Sequence, residues 1–269
     1  GLGKIRALRH LRDFLYGMIK PEKPRVLDFK DFRLFVDPST AGGVVQELLL
    51  DDVHEPAETN CLRAILREGM NVLDVGANIG YDTVLAATLV GKSGRVFAFE
   101  PETTNFQMLR RNIELNNLVN VTLVNKACSD RNEIKKLYLD GDNSGGHHFY
   151  ETGDGSEPLT VETASIDAYF GDQPPRLDLV KMDIQGYEPF ALRGMEKTLR
   201  ANPQAALVTE FHPAMIGASG GSPVEFIHQI RELGFDIRPL LGWPAGEVTN
   251  DPSALIALCG EGDFINLYC

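Results

Sequence analysis

The chain has 269 residues, of which 43% are hydrophobic and 24% charged, and its formal net charge is -12. It is long enough to bury a sizeable core, and it contains no run of about 18 apolar residues that would predict a membrane span. Because nucleic-acid binding over a broad surface needs many Lys and Arg side chains to neutralise phosphates, this acidic balance argues against a nucleic-acid partner.

The N-terminal part has the opposite charge. Residues 1 to 30 carry eight Lys and Arg against three acids, and apolar residues recur at helical spacing between residues 4 and 19. This pattern predicts a basic amphipathic helix that packs on the rest of the protein or docks to a membrane surface or a partner. Two short apolar runs in "RVLDFKDFRLFVDP" then predict a hairpin, and "TNCLRAILREG" predicts a helix with Gly69 as its C-cap. Residues 1 to 68 therefore look like a lead-in or cap.

Residues 69 to 269 show regular alternation of buried strands and amphipathic helices. We predict strands near residues 72 to 75, 95 to 99, 121 to 125, 178 to 183, 205 to 211 and 235 to 239, with a last one in "DFINLYC". The predicted helices lie near residues 79 to 90, 102 to 116, 186 to 200 and 223 to 233. Such alternation indicates an α/β fold with a mostly parallel sheet and helices on both faces.

One insertion interrupts this alternation. The strand-like segments "EIKKLYLD" and "LTVETASIDAYF" flank a glycine-rich stretch at residues 141 to 158. A connection of this length is either a functional loop or disordered. The four cysteines show neither disulfide nor zinc-ligand spacing, so we expect a reducing, cytoplasmic setting.

The stretch "NVLDVGANIGYDTV" reads as a strand, a glycine-bearing turn and a helix, which is where nucleotide-like ligands bind in α/β proteins. Asn78 stands where a dinucleotide fingerprint has its middle glycine, and the chain has no P-loop, so little or no phosphate is expected. Glu100 closes the next strand and can accept two hydrogen bonds from a ribose diol. The carboxylate of Asp74 suits a cationic group. S-adenosylmethionine is an adenosyl ligand with these properties.

The segments "GMNVLDVGANIGYDTVLAA", "VFAFEPETTNFQMLRRNIELNN" and "LVKMDIQGYEPFALRGM" resemble the successive motifs of the FkbM family of S-adenosylmethionine-dependent methyltransferases. The resemblance runs from about residue 55 to residue 212. It implies a class I methyltransferase fold, with seven strands of which one, near residues 264 to 268, is antiparallel. The expected cofactor-binding residues are Asp74, Gly76, Ala77, Asn78, Gly80, Tyr81, Glu100, Pro101, Asn125, Lys126, Ala127 and Asp183.

Acceptor chemistry is expected at the ends of the fourth and fifth strands, in "KMDIQGYE" and "TEFHP". The candidate catalytic residues are Asp183, Glu210 and His212, and the same three would bind Mg²⁺ if the enzyme uses it. Gln185 departs from the family pattern, which commonly has Glu there, and this weighs against a catalytic role for its side chain. Further candidates are Glu188 beside Asp183, the loop histidines His147 and His148, and Trp243, which could stack on a sugar.

Family members typically methylate hydroxyl groups of sugars and of natural products such as polyketides. The resemblance therefore implies an O-methyltransferase for a saccharide or a small-molecule acceptor. The alternatives are N-methylation of a peptide or amino sugar, a nicotinamide-dependent oxidoreductase, and a non-catalytic binding module. The oligomeric state does not follow from the sequence.

Overall fold

The structure, a computed structural model, describes Tyr16 and residues 23–38, 43–140, 145–151, 157–260 and 263–269. The amphipathic helix expected over residues 4 to 19 lies outside these residues, apart from Tyr16. Parts of the glycine-rich insertion also lie outside them. No helix of the described residues is long and apolar enough to cross a membrane.

The strands are β1 (Arg25–Asp28), β2 (Arg33–Val36), β3 (Asn71–Val75), β4 (Arg95–Phe99), β5 (Val121–Val124), β6 (Ala127–Cys128), β7 (Ile134–Leu137), β8 (Leu159–Ala164), β9 (Leu179–Met182), β10 (Ala206–Phe211), β11 (Arg238–Leu240) and β12 (Ile265–Tyr268). The helices are α1 (Gly43–Asp51), α2 (Pro56–Ile65), α3 (Tyr81–Val90), α4 (Thr103–Leu115), α5 (Ile166–Phe170), α6 (Glu188–Arg193), α7 (Glu196–Arg200), α8 (Pro213–Ala218), α9 (Pro223–Glu232) and α10 (Pro252–Cys259). Most of the predicted strands and helices are confirmed within a few residues. The sequence prediction missed α1, α8, α10 and the small sheet formed by β6, β8 and β7.

The central sheet has seven strands in the order β5-β4-β3-β9-β10-β12-β11. Strands β5, β4, β3, β9 and β10 run parallel, while β12 is antiparallel to both neighbours, as expected. The strand order reverses between β3 and β9, because β4 and β5 extend the sheet in one direction and β10 in the other. Ligands of open α/β sheets bind at the carboxyl ends of the strands beside such a reversal.

Both faces of the sheet are covered, which explains the almost continuous apolar character of its central strands. One buried cluster includes Val72 and Val96 together with side chains of the N-terminal hairpin, and the other includes Leu73 and Val180. The hairpin is held to α4 by Asn112, which accepts a hydrogen bond from the backbone N of Phe35 at 2.6 Å and donates one to its carbonyl. A boundary between cap and domain near residue 69 therefore stays a proposal.

Three local predictions were wrong. The helix expected over 186 to 200 is two helices, because the carbonyl of Gly194 accepts hydrogen bonds from Ser165 and from the backbone N of Asp167. The helix before Gly69 ends at Ile65, and Gly69 lies in the turn into β3. The strand-like "LTVETASIDAYF" turns into helix α5 after Ser165, whose side chain caps that helix.

Candidate active site

A cavity with a volume of about 320 Å³ lies at the carboxyl ends of β3, β4, β9 and β10. The sheet side contributes the turn after β3, the end of β4 and the end of β9. The opposite side is formed by α1, by the segment that precedes α2, and by residues from the glycine-rich insertion. The N-terminal lead-in is therefore part of the cavity wall.

The turn after β3 is shaped by Gly76. Its φ of 86° is left-handed, and its backbone N donates a hydrogen bond to the carbonyl of Phe99, as does that of Ala77. A Cβ at position 76 would lie 1.9 Å from the carbonyl oxygen of Asp183. Gly76 is required because the turn passes directly over the end of β9. Gly80 packs instead against Leu109 and is not among the described residues that line the cavity.

Glu100 lies in the cavity with its carboxylate held by the backbone. Its two oxygens accept hydrogen bonds from the N–H groups of Asn78 at 2.8 Å and Glu102 at 2.9 Å. Since an ionised carboxylate offers about four acceptor positions, about two stay available, which is the number a ribose diol needs. Burial raises the pKa of Glu100 to about 7, against the lowering effect of the two hydrogen bonds. Asn78 takes a left-handed backbone conformation with φ of 50°, which directs its N–H towards this carboxylate.

Asp74 is placed differently from the expectation. It is 1% exposed and does not belong to the described lining of the cavity. One oxygen accepts a hydrogen bond from Thr83, and the other has no hydrogen-bond partner and lies 4.0 Å from the ammonium of Lys181. Burial raises the pKa of Asp74 to about 6. Its side chain lies beneath the turn after β3, outside the cavity. The structure therefore does not favour a direct contact between Asp74 and a bound cofactor.

Lys181 is a buried cation that the sequence reasoning missed. Its ammonium lies 3.4 Å from Asp82, 3.9 Å from Asp183 and 4.0 Å from Asp74. Burial alone would lower the pKa of Lys181, but the surrounding carboxylates raise it well above its ordinary value. The only signal in the sequence was a lysine inside an otherwise apolar strand, two residues before Asp183.

At the end of the cavity expected to receive the adenine, three of the predicted residues form part of the wall and one does not. Pro101, Lys126 and Ala127 line the cavity, whereas Asn125 donates hydrogen bonds to the carbonyls of Glu100 and Pro101 and is outside the described lining. Asn125 thus supports the loop that carries Glu100.

The insertion contributes to this part of the wall. His147 lines the cavity, and its Nδ1 accepts a hydrogen bond from the backbone N of Asp140 at 3.1 Å. Burial lowers the pKa of His147, so its ring is neutral and Nε2 carries the proton. Its neighbour His148 is buried and packs against Tyr138 and Tyr150. Trp243 lies outside the described lining and packs on Tyr268.

At the acceptor end, Gln185 connects two of the predicted catalytic carboxylates. Its backbone is left-handed with φ of 55°, and its Nε2 donates hydrogen bonds to Asp183 at 2.9 Å and to Glu210 at 3.3 Å. Burial and the nearby carboxylates raise the pKa of Glu210 well above its ordinary value. Because this chain has Gln185 where the family commonly has Glu, a neutral hydrogen-bond donor lies between the two acids.

The predicted metal set is corrected by the structure. Among the described residues, the acidic group that could hold an ion is Asp183, Glu188 and Glu210, whose ligand atoms all lie within 4.8 Å of one another. His212 lines the cavity but is not in this group; its Nδ1 accepts the hydrogen bond that caps α8, and its ring stacks on Phe264. Burial lowers the pKa of His212, which favours the neutral ring.

Two further residues of the cavity wall come from the N-terminal lead-in. His54 and Glu55 line the cavity opposite the sheet, and Tyr81 lies between them and the hairpin, in edge contact with His54, Phe29 and Phe32. Burial alone would lower the pKa of His54, but its hydrogen bond with Glu47 and the nearby acids raise it to about 9. Although "HEPAETNCLRAIL" belongs to the family resemblance, nothing in the sequence showed that this segment reaches the carboxyl ends of the strands.

The strand order, the single antiparallel strand and the position of the cavity define a class I methyltransferase, a class that uses S-adenosylmethionine. The model of the FkbM methyltransferase domain matches residues 74–237, which is more than half of the chain. The chain therefore belongs to this family, and its domain is that of an S-adenosylmethionine-dependent methyltransferase.

Curated relatives resemble only a part of the chain. The protein-L-isoaspartate O-methyltransferase of Methanothrix thermoacetophila is 44% identical over 59 residues, which are 22% of this chain and 28% of the relative. A protein of Saccharolobus solfataricus named "probable cobalt-precorrin-6B C(15)-methyltransferase (decarboxylating)" is 36% identical over 87 residues, or 29% of this chain and 44% of the relative. The chain thus spans less than half the length of either relative.

Among solved structures, M. jannaschii TYW2 in complex with AdoMet is 15% identical, with 92% of this chain and 84% of that chain covered and a TM-score of 0.46. That the chain acts on no nucleic acid stays a prediction from its formal net charge of -12.

Proposed function

We propose that this protein transfers a methyl group from S-adenosylmethionine to a hydroxyl group of a carbohydrate or of a glycosylated or polyketide-type natural product. The observation that carries the proposal is the arrangement of one cavity. Glu100 lies at one end with acceptor positions suited to a ribose diol, and Asp183, Glu210 and His212 line the other end.

The negative charge of the cavity lining supports S-adenosylmethionine as the cofactor. Of the residues the structure describes, seven carboxylates and two lysines line the cavity, which favours a cationic sulfonium over a pyrophosphate. The acids are Glu47, Glu55, Asp82, Glu100, Asp183, Glu210 and Asp263. This charge, together with family membership, sets aside the nicotinamide-dependent alternative.

When bound, S-adenosylmethionine supplies an electrophilic methyl group and a leaving group that becomes a neutral thioether. The protein's own contribution is then largely positional, since holding the acceptor oxygen in line with the methyl carbon lowers the barrier. We assign to Asp183 the role of orienting the acceptor, by accepting a hydrogen bond from a hydroxyl group adjacent to the one that is methylated. Its half-buried carboxylate is oriented by Gln185 and by Lys181.

The mouth of the cavity is suited to a polyhydroxy acceptor. Asp183 and Glu210 offer oxygens to hydroxyl groups, and Phe264, which is 36% exposed, offers an apolar ring beside them. Aromatic rings commonly pack against the apolar face of a sugar or a polyketide. A cytoplasmic location and a small-molecule acceptor are parts of the same proposal.

The surplus of carboxylates also fits an acceptor that carries an amine. Methylation of nitrogen in a peptide or an amino sugar is therefore the second candidate function. Nuclear magnetic resonance of the product separates the two, because an O-methyl and an N-methyl group differ in carbon chemical shift.

We further propose that the acceptor end works without Mg²⁺. Gln185 already donates to Asp183 and Glu210, two of the three clustered carboxylates, and the ammonium of Lys181 lies 3.9 Å from Asp183. Turnover is expected to be unchanged by EDTA. A loss of turnover that Mg²⁺ restores would contradict this part.

The test is turnover of S-adenosylmethionine with a panel of hydroxyl-bearing and amine-bearing acceptors. Asp183→Ala should abolish turnover and leave the affinity for S-adenosylhomocysteine, measured by calorimetry, largely intact. Asp178→Asn is the matched control, since Asp178 lies beside the amino end of the same strand, where it accepts a hydrogen bond from the backbone N of Asn71. Full activity of Asp183→Ala would refute the role of Asp183, and tight NAD binding would refute the proposed function.

A further inference from the structure

Glu55 has a backbone conformation that its residue type does not favour. It immediately precedes α2 at the N-cap position, with φ of 41° and ψ of 75°, and its side chain makes no capping hydrogen bond. Ser, Thr, Asp or Asn would satisfy a helix N-terminus, and Gly or Asn would adopt a left-handed backbone at lower cost. A strained residue of this kind points to a function that depends on where its side chain is directed.

The side chain of Glu55 is directed into the cavity. Its carboxylate accepts a hydrogen bond from Nδ2 of Asn266, a buried residue of β12, so the lead-in and the last strand are joined at this point. The charged groups that face Glu55 are Lys181 and Asp183 from β9, Glu210 from β10, Glu58 from α2 and its neighbour His54. Glu55 thus belongs to the acceptor end of the cavity although it lies more than 120 residues before Asp183.

We propose that Glu55 is the base that takes the proton from the acceptor hydroxyl, an inference that rests on the proposed function. As the bond between the acceptor oxygen and the methyl carbon forms, the bond between that carbon and sulfur breaks and its electron pair stays on sulfur. The hydroxyl proton moves to the carboxylate of Glu55. The positive charge of the sulfonium and the negative charge of the carboxylate are both lost, so the step is balanced, and the proton then leaves to solvent.

The other carboxylates of the cavity are less suited to this task. Asp183 accepts a hydrogen bond from Gln185 on one oxygen, and its other oxygen lies 3.9 Å from the Lys181 ammonium, so both oxygens already have partners. Glu210 also accepts a hydrogen bond from Gln185, and burial together with the nearby carboxylates raises its pKa well above its ordinary value. Burial raises the pKa of Glu55 to about 7, and a base is most effective when its pKa is close to the working pH.

The first test is Glu55→Gln, which keeps the shape and an oxygen that can accept from Asn266. We expect kcat to fall by about 100-fold to 10,000-fold, the usual contribution of a positioned base, while the Kd for S-adenosylhomocysteine stays within about threefold of wild type. With S-adenosylmethionine saturating, so that cofactor binding by Glu100 does not contribute, kcat/KM for the acceptor should rise with pH up to about 7 in the wild type and then level off. This rise should be absent in Glu55→Gln. Glu58→Gln is the matched control, because Glu58 is a buried acid of the same segment outside the described cavity lining, and its variant should keep the rise.

The second test does not depend on turnover. Infrared difference spectra of the complex with S-adenosylhomocysteine should show several carboxyl bands that titrate near pH 7 in the wild type, one of which is missing in Glu55→Gln. A kcat for Glu55→Gln within threefold of wild type would overturn the proposal. So would a parallel loss of affinity for S-adenosylhomocysteine, which would make Glu55 a cofactor ligand. Wild-type protein that methylates no acceptor would instead contradict the proposed function itself.

Discussion

The α-carbon of Gly76 and the carbonyl oxygen of Asp183 are so close that a Cβ at position 76 would lie 1.9 Å from that oxygen. The two residues terminate adjacent parallel strands, β3 and β9, on either side of the reversal in strand order. The cofactor turn and the proposed acceptor-binding carboxylate are therefore fixed relative to one another by direct backbone contact.

This contact predicts the effect of Gly76→Ala. The added methyl group forces the two strand ends apart in addition to straining a left-handed residue, and we expect a loss of more than about 3 kcal/mol in the free energy of unfolding. Urea denaturation measures it. Gly171→Ala is the matched control, since Gly171 also has a positive φ, of 67°, but no atom within 4 Å of its added Cβ. That variant should lose only about 1–2 kcal/mol, and equal losses in the two variants would contradict the explanation.

Replacement of Lys181 by Met should destabilise the protein strongly. The variant leaves Asp74, Asp82 and Asp183 without the ammonium that faces them, and removing one partner of a buried ion pair typically costs about 3–5 kcal/mol. The loss should be smaller at pH 5.5 than at pH 8, because burial raises the pKa of Asp74 to about 6 and this acid is largely protonated at the lower pH. Chemical denaturation at both pH values measures the loss in the free energy of unfolding.

Lys126→Met provides the comparison for Lys181→Met. Lys126 lies 2.7 Å from Glu162, closer than any partner of Lys181, but its side chain is 41% exposed. Exposed pairs contribute about 0–1 kcal/mol, so a small loss is expected. If Lys126→Met cost as much as Lys181→Met, burial would not be the deciding factor.

Glu100→Gln should weaken binding of S-adenosylhomocysteine. The side-chain amide of Gln has only one oxygen, so its NH₂ group would face one of the two backbone N–H groups that Glu100 accepts from. The variant also has fewer acceptor positions for the ribose hydroxyls. A hydrogen bond to a charged group contributes about 1.5–3 kcal/mol, which predicts a Kd about 10-fold to 100-fold higher by calorimetry.

The affinity of the wild type should also depend on pH. Because burial raises the pKa of Glu100 to about 7, lowering the pH from 8 to 6 protonates the carboxylate and weakens binding. The dependence should be smaller in Glu100→Gln and unchanged in Glu114→Gln, which alters an exposed acid of α4. An identical pH dependence in all three proteins would show that Glu100 is not the group responsible.

The stability of the ligand-free protein should fall as the pH rises from about 5 to 8. Burial raises the pKa of Asp74 to about 6 and those of Glu55, Glu100 and Glu188 to about 7. Between its ordinary pKa and the raised one, each of these acids is protonated in the folded chain and ionised in the unfolded chain, so unfolding releases protons and becomes easier at higher pH. The melting temperature should therefore decrease over this range, and an increase would contradict the raised values.

A large part of the fold could be predicted from the sequence because its signals are local. The apolar run of β3 and the alternation of strands and helices follow from burial on both faces of the sheet, and they predicted a mostly parallel sheet. The antiparallel last strand was implied by the resemblance to the FkbM family. Gly76 and Glu100 could be identified for the same reason, since each occupies a position directly after a strand whose end is fixed.

The cavity wall opposite the sheet could not be predicted, because it depends on contacts between distant parts of the chain. Nothing near residue 55 in the sequence indicates that the Glu55 carboxylate meets Asn266, 211 residues later. The side-chain direction at strand ends is also decided by packing. Asp74 points beneath the turn, Asn125 turns to the backbone beside Glu100, and His212 is used in part to cap α8.

The sequence by itself determined an α/β fold with a mostly parallel sheet and the end of that sheet where a cofactor binds, since hydrophobic periodicity and turn chemistry act over a few residues. The class of protein followed from the resemblance of its motifs to the FkbM family. Only the tertiary structure decided which charges meet in the cavity. Lys181 is surrounded by acids, Gln185 bridges Asp183 and Glu210, and Glu55 enters from the lead-in, because electrostatic partners are set by distance in space rather than by separation along the chain.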